Sequence, residues 1–147
     1  MTAPPSTPDP GAGRGLLDTN VVILLPRLTH AADLPHEPLI CAITLAELSV
    51  GPLVSTDEAE QAARQAQLQQ AEADFDPLQF DASAARAFGQ VAASLRRSGR
   101  SPGARSYDAL IAATALSQGL PLYTTNAADY RGIDGLEVVE ITLPDDA

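Results

Sequence analysis

The chain has 147 residues, enough for one domain, and is 45% hydrophobic but only 4% aromatic, so its core is expected to be built from Leu, Ile, Val and Ala. The net charge of −10 argues against a general nucleic-acid binder with a basic face. All nine basic residues are Arg, which excludes mechanisms that need a lysine, such as a P-loop or a Schiff base.

No apolar run reaches the roughly 18 residues that a membrane span needs, so no membrane association is expected. The N-terminus has no basic segment followed by an apolar one, so no secretory signal is read. The single cysteine, Cys41, lies in an apolar run and cannot form an internal disulfide. A buried, inert thiol in a reducing, cytoplasmic setting is expected.

In chain order, residues 1–14 are rich in Pro, Gly and Ala without apolar periodicity, and read as a flexible tail before a domain over 15–147. Gly15 to Asp18 reads as a short buried strand. Thr19-Asn20 breaks it, and Val21 to Leu25 opens a helix that Pro26 should limit. Residues 29–37, with His30 and His36 among prolines, read as a loop. The run 39–43 is a second buried strand. Thr44-Leu-Ala-Glu47 has the form of a capping box, opening a helix that runs to about Gly51.

Residues 56–73 are rich in Ala, Gln and Glu and predict a helix. Pro77 leaves 75–80 as at best an edge strand. Asp81 is placed to cap a helix over 82–97, with Ala85, Phe88, Val91, Ala92 and Leu95 on one stripe. After a loop at 98–103, a further helix spans about Arg105 to Ser117 and ends at Gly119. Leu120 to Thr124 is a strand, a polar turn follows, and Leu136 to Ile141 is the last strand. Strands alternating with helices imply an α/β sandwich with a mainly parallel sheet, and no internal repeat is found.

Short parallel strands gather ligands beyond their carboxyl ends. Asp18 ends the first strand, Glu47 lies in the first turn of the helix after the second, and Asp129 follows the late strand with Asn126 in the same turn. Asp108 lies near the start of the helix that leads into that strand. Clustered carboxylates repel, and a divalent cation such as Mg²⁺ or Mn²⁺ offsets the cost of gathering them. Acids converging on one point therefore suit metal-assisted phosphodiester hydrolysis. Each acid also has a purely structural explanation. Asp18 could close a turn or cap a helix, Glu47 fits the capping box, Asp108 favours a helix start, and Asp129 follows a possible cap at Asn126. The histidines lack a matching Ser or Cys nucleophile and read as solvated loop residues.

Four segments in series are Leu16-Leu-Asp18-Thr-Asn-Val-Val, Thr44-Leu-Ala-Glu47-Leu-Ser-Val-Gly51, Tyr107-Asp108-Ala-Leu-Ile-Ala-Ala-Thr-Ala115 and Leu122-Tyr-Thr-Thr-Asn126-Ala-Ala-Asp129-Tyr130. Together they resemble the PIN-domain family over about residues 15–143, and most of all its VapC-type toxins of bacterial toxin–antitoxin pairs. The resemblance implies a PIN-like three-layer sandwich and an Mg²⁺- or Mn²⁺-dependent endoribonuclease that cuts structured RNA. It also implies silencing by a VapB-like antitoxin, whose segment enters the active-site groove and often presents an Arg to the acids, and a homodimer. By position, Asp18 and Asp108 would ligate metal directly, and Glu47 would bind or activate metal-bound water. Many members carry an Asp at the position of Asn126, so either Asn126, through its carbonyl oxygen, or Asp129, through its charge, would complete the acidic set. Thr19, Asn20, Thr125 and Asn126 would support the site.

An RNA partner must be reconciled with the acidic charge. Arg96, Arg97, Arg100 and Arg105 lie within ten positions, just before Asp108, and could hold phosphates beside a metal. The same residues also suit a solvated helix end. The competing expectation is a catalytically silent PIN-like module that only binds a partner. A haloacid-dehalogenase-like phosphatase is disfavoured because Asn20 stands where its second Asp would be, and a receiver domain because the chain has no Lys.

Overall fold

The structure, a computed structural model, describes residues 13–28, 34–101, 103 and 106–143. The expectations for residues 1–12, His30, Arg105 and 144–147 lie outside the described residues.

The strands are β1 (Arg14–Leu17), β2 (Glu37–Leu39), β3 (Leu122–Thr124) and β4 (Val138–Glu140). The helices are α1 (Thr19–Leu24), α2 (Ala42–Val54), α3 (Glu58–Asp74), α4 (Ala82–Arg97) and α5 (Ser106–Gln118). Short 3₁₀ turns cover Leu25–Arg27 and Ala127–Tyr130. The sheet runs β2-β1-β3-β4 with every pair parallel, Leu16 standing opposite both Leu39 and Leu122. All four carboxyl ends therefore lie along one edge.

Successive residues of a strand face opposite sides, and β1 puts this to use. Leu16 packs with Val91 of α4, Ile111 of α5 and Leu122, while Leu17 packs with Val21 of α1, Leu48 of α2 and Ala71 of α3. The result is the expected three layers, with α4 and α5 on one face and α1 to α3 on the other. Helix α5 buries Ala109 and the whole run Ile111 to Ala115, so its middle is enclosed nearly all round, while Asp108 in its first turn is half-buried. No helix among the described residues is long and apolar enough to cross a membrane.

Several boundaries differ from expectation, each for a local reason. Ordered pairing begins at Arg14, opposite Glu37, one residue before the expected domain start. Helix α1 starts at Thr19 rather than Val21, because the Asp18 carboxylate accepts the Val21 N–H and draws Thr19-Asn20 into the first turn. Strand β2 falls on Glu37–Leu39 rather than 39–43, claiming the end of the expected loop. Ile40 and Cys41 are fully buried, and the thiol is free. Helix α2 then begins at Ala42 behind Cys41, which supplies no side-chain cap.

Helix α2 also passes Gly51 and Pro52 to reach Val54. Arg64 and Gln61 of α3 donate to the Gly51 and Pro52 carbonyls, satisfying its otherwise orphaned C-terminal end. The stripe of α4 keeps the expected Val91 and Leu95, but its first turns sit one residue earlier: Ala84 and Ala87 are buried, Phe88 is half-buried and Ala85 is exposed, and Ser94 joins the buried face. Asp81 does cap this helix, accepting from the Ala84 N–H at 2.9 Å. Residues 75–80 contribute one bridge, Leu78 to Cys41.

Candidate active site

Asp18 stands where β1 becomes α1, and both of its oxygens are engaged. Oδ1 accepts the Val21 N–H at 3.1 Å, and Oδ2 faces the Tyr130 hydroxyl at 3.3 Å. Cap and site residue are thus one role: the helix bond fixes the side chain while the second oxygen faces the acidic cluster. The same Tyr130 hydroxyl reaches Oδ1 of Asp108, in the first turn of α5, at 3.4 Å. Two carboxylates from separate elements therefore meet at one phenol.

Glu47 is held from the other side. The Thr19 hydroxyl donates to Glu47 Oε1 at 2.6 Å and lies 3.1 Å from the Thr44 hydroxyl. This replaces the expected capping box. Thr44 is buried inside α2 rather than capping it, and Glu47 is bound across to α1, next to Asp18. A local bond within α2 gives way to a tertiary one that aims Glu47 at the strand ends.

The loop after β3 completes the edge. The buried Thr124 hydroxyl accepts the Asn126 N–H at 3.1 Å and hydrogen-bonds the Asp18 carboxylate. Asn126 Nδ2 donates to Asp129 Oδ1 at 3.1 Å, tying the two residues of this turn together. Thr125, expected as the hydroxyl near the site, is half-buried; the hydroxyl that contacts Asp18 belongs to its neighbour Thr124. Asn20 is exposed. The Ala127–Tyr130 turn is braced at both ends. Glu140 accepts the Ala127 N–H at 2.9 Å, and Arg100 donates to the Ala128 and Arg131 carbonyls.

Electrostatics follow from this crowding. Burial pushes the Asp18 carboxyl above its ordinary value, opposed by hydrogen bonds from Thr124, Val21 and Tyr130 and reinforced by the charge of Asp129. Burial also raises Glu47, opposed by Thr19 and reinforced by Asp108 and Asp18. The Tyr130 phenol is pushed far up, first by burial and then by the two aspartates, and stays a neutral donor. Among the described residues no buried side-chain polar atom lacks a partner.

The donor set is all hard oxygen, and neighbouring carboxylate charge raises the proton affinity of Asp18 and Glu47, which is the cost that a divalent cation reverses. No trio of Asp, Glu, His or Cys among the described residues is closed tightly enough to hold an ion alone. The assembled part is the Asp18–Asp108 pair, and Mg²⁺ characteristically takes one or two carboxylates and keeps several waters. The residues therefore fit such an ion.

The Arg cluster does not act as one group. Arg97 pairs with Asp134 at 2.8 Å, Arg100 is spent on backbone carbonyls, and Arg96 is exposed with no ion pair among the described residues. His36 is exposed, as expected. Tyr130 and Thr124 were the site residues that sequence reasoning passed over. An aromatic or a threonine beside a buried strand reads as core, and only the fold shows where its oxygen points.

Beside the acids lies an apolar groove of ≈ 520 Å³, lined by Val22, Ile23, Leu48, Ala66, Ala71 and Phe75 from α1, α2 and α3 and their flanks. Gln67, Gln70 and Asp74 lie at it as well, whereas Asp18, Glu47 and Asp108 do not line it.

A parallel α/β sandwich with oxygen donors gathered past its strand ends defines the class: an α/β protein with an acidic site at its strand ends. The chain belongs to the PIN domain family, which matches residues 15–136. It is 37% identical over 129 residues to Ribonuclease VapC5 of Mycobacterium tuberculosis, covering 86% of this chain and 93% of that one. Its fold is similar to the crystal structure of VapBC-5, a member of the VapBC family of toxin–antitoxin systems from the same organism. That match has a TM-score of 0.73 and 32% identity, and covers 88% of this chain and 99% of that one. DNA-bound VapBC from Salmonella typhimurium matches with a TM-score of 0.68 and 27% identity, covering 86% and 97%.

Proposed function

We propose that this chain is the toxin of a VapBC-type pair, an endoribonuclease that hydrolyses RNA phosphodiester bonds with Mg²⁺ or Mn²⁺ at Asp18 and Asp108. The observation that carries the reading is the meeting of these two carboxylates at one buried point, with Glu47 held beside them through Thr19. The VapC relative and the VapBC complexes support both the activity and a VapB-like antitoxin partner.

The ion, when bound, supplies positive charge for a phosphate oxygen and activates water. Asp18 and Asp108 hold it. Glu47 lies at the same edge and is the residue to take the proton from the attacking water. Its raised proton affinity makes it a stronger base than an ordinary carboxylate. Thr19 orients it. Asp129, with Asn126, adds negative charge on the far side of Asp18. Among the described members of its cluster, Arg96 is the one left to meet a phosphate, and the working unit is a homodimer.

The test is incubation of the antitoxin-free protein with total RNA in Mg²⁺ or Mn²⁺, with chelator, Asp18→Asn and Asp108→Asn as controls and DNA in parallel. Discrete RNA fragments are expected, lost with chelator and reduced at least about 100-fold in either folded variant. Cleavage that survives in both variants would refute the site. Absence of both cleavage and metal binding would leave the silent partner-binding module.

A further inference from the structure

Tyr130 is 2% exposed, and its ring packs in the same cluster as Leu16, Ile111 and Leu122. Its hydroxyl lies 3.3 Å from Asp18 Oδ2 and 3.4 Å from Asp108 Oδ1. Both distances are long for an O–H···O bond, as befits a single phenol hydrogen shared between two acceptors. Asp18 belongs to the end of β1, Asp108 to α5 and Tyr130 to the 3₁₀ turn after β3, so this one oxygen joins three separate elements. The turn cannot drift easily, because Glu140 holds its start and Arg100 holds the carbonyls on either side of Asp129 and Tyr130.

We propose that Tyr130 is the positioning residue of the acidic pair, its hydroxyl presetting Asp18 and Asp108 to receive a divalent cation. The inference rests on the metal-dependent reading above. Two half-buried or buried carboxylates with no donor between them repel and turn apart. A rigid donor between them keeps one oxygen of each facing a common point, so less reorganisation accompanies ion binding. A group that touches the ligands rather than the ion tunes affinity by orienting them. The roles expected of this segment lay with Thr125, Asn126 and Asp129, whereas the residue that touches both Asp18 and Asp108 is the aromatic after them.

The experiment is a Mn²⁺ titration of the antitoxin-free, full-length chain and of Tyr130→Phe, read by calorimetry without RNA. Phe keeps the ring volume in the core and removes only the oxygen. Mn²⁺ affinity is expected to fall about 10-fold, with cleavage recovered at saturating Mn²⁺. Equal affinity would overturn the inference and leave the metal-dependent reading standing, and tighter binding would overturn it by making the phenol a competitor of the ion. If the wild type binds no Mn²⁺, the reading itself fails. A second readout does not depend on the variant folding. The chain has three tyrosines, and with their ring carbons labelled and assigned through Tyr107→Phe and Tyr123→Phe, Mg²⁺ should shift the Tyr130 Cζ resonance most. An unmoved Tyr130 signal at saturating Mg²⁺ would also overturn the inference.

Discussion

Asp18 and Glu47 hold protons more tightly in the fold than in an open chain, and burial is the first cause in both. The sign of the linkage follows. Below the unfolded values, 3.8 for Asp18 and 4.5 for Glu47, both states carry the proton and the contribution to stability is fully present. As pH rises through the raised folded values the folded state ionises at a cost, and that stability is lost. Metal-free protein should therefore melt at progressively lower temperature from about pH 4 towards neutrality. The stabilisation added by Mg²⁺ should grow over the same range, because only the ionised carboxylates bind it. Melting curves in chelator and in Mg²⁺ across that range check both trends. Asp18→Asn sharpens the test. Asn caps a helix as well as Asp, so the bond to Val21 is kept while the buried charge goes. The variant should flatten the chelator curve and lose most of the Mg²⁺ increment. A variant with an unchanged slope would mean that Asp18 is not the group titrating.

The elements that were legible in the sequence are those set by local chemistry. Helix α3 follows from helix-forming composition, α4 starts at its Asp81 cap, and α5 ends at Gly119, which takes the left-handed φ of +66°. Non-local contacts decide what was missed. The Thr44–Glu47 spacing suits a cap equally well, but Thr19 captures Glu47 from another helix, and no local pattern signals that. Ala84, Ala85 and Ala87 are equally small, so hydrophobicity does not choose among them, and packing against α5 decides which are buried. Motif order singled out Asp18, Glu47 and Asp108, which the fold brings to one edge; Tyr130 was not singled out, because its contacts to the acids lie in one oxygen on an otherwise core side chain. The arginines split on the same principle. Arg100→Ala should destabilise by about 1 kcal/mol through loss of its carbonyl bonds. Arg96→Ala should leave the melting temperature unchanged but make the logarithmic salt dependence of RNA binding shallower by about 0.7. Equal stability losses in the two variants, read by denaturant titration, would contradict this division. On β1, a Cβ at Gly15 would run into the Tyr123 ring of β3, so Gly15→Ala should cost about 1–3 kcal/mol by the same measurement.

At the scale of the whole molecule, two unlike surfaces share one short helix. Asp18 caps α1 at the acidic edge, and one turn further on Val22 and Ile23 line the apolar groove against α2 and α3. A net charge of −10 gives RNA no long-range attraction to this chain, so on the proposed reading substrate would be gathered locally, by the ion and Arg96. A protein inhibitor faces a different surface. It can satisfy the acids with a basic side chain and cover the neighbouring groove with an apolar segment, gaining from both because α1 makes them contiguous. Ile23, 37% exposed at the groove, separates the two functions. Ile23→Asp places a charge where the apolar segment would lie and leaves Asp18, Glu47 and Asp108 intact. RNA cleavage by the free variant should be unchanged, while its affinity for the cognate antitoxin falls about 10- to 100-fold, the scale of a well-packed interface residue. Titrating antitoxin into the cleavage reaction measures both quantities at once. Full inhibition at the wild-type concentration would place the docking surface elsewhere on the fold, whereas cleavage that persists through that titration would mean that the acidic edge alone does not hold the inhibitor.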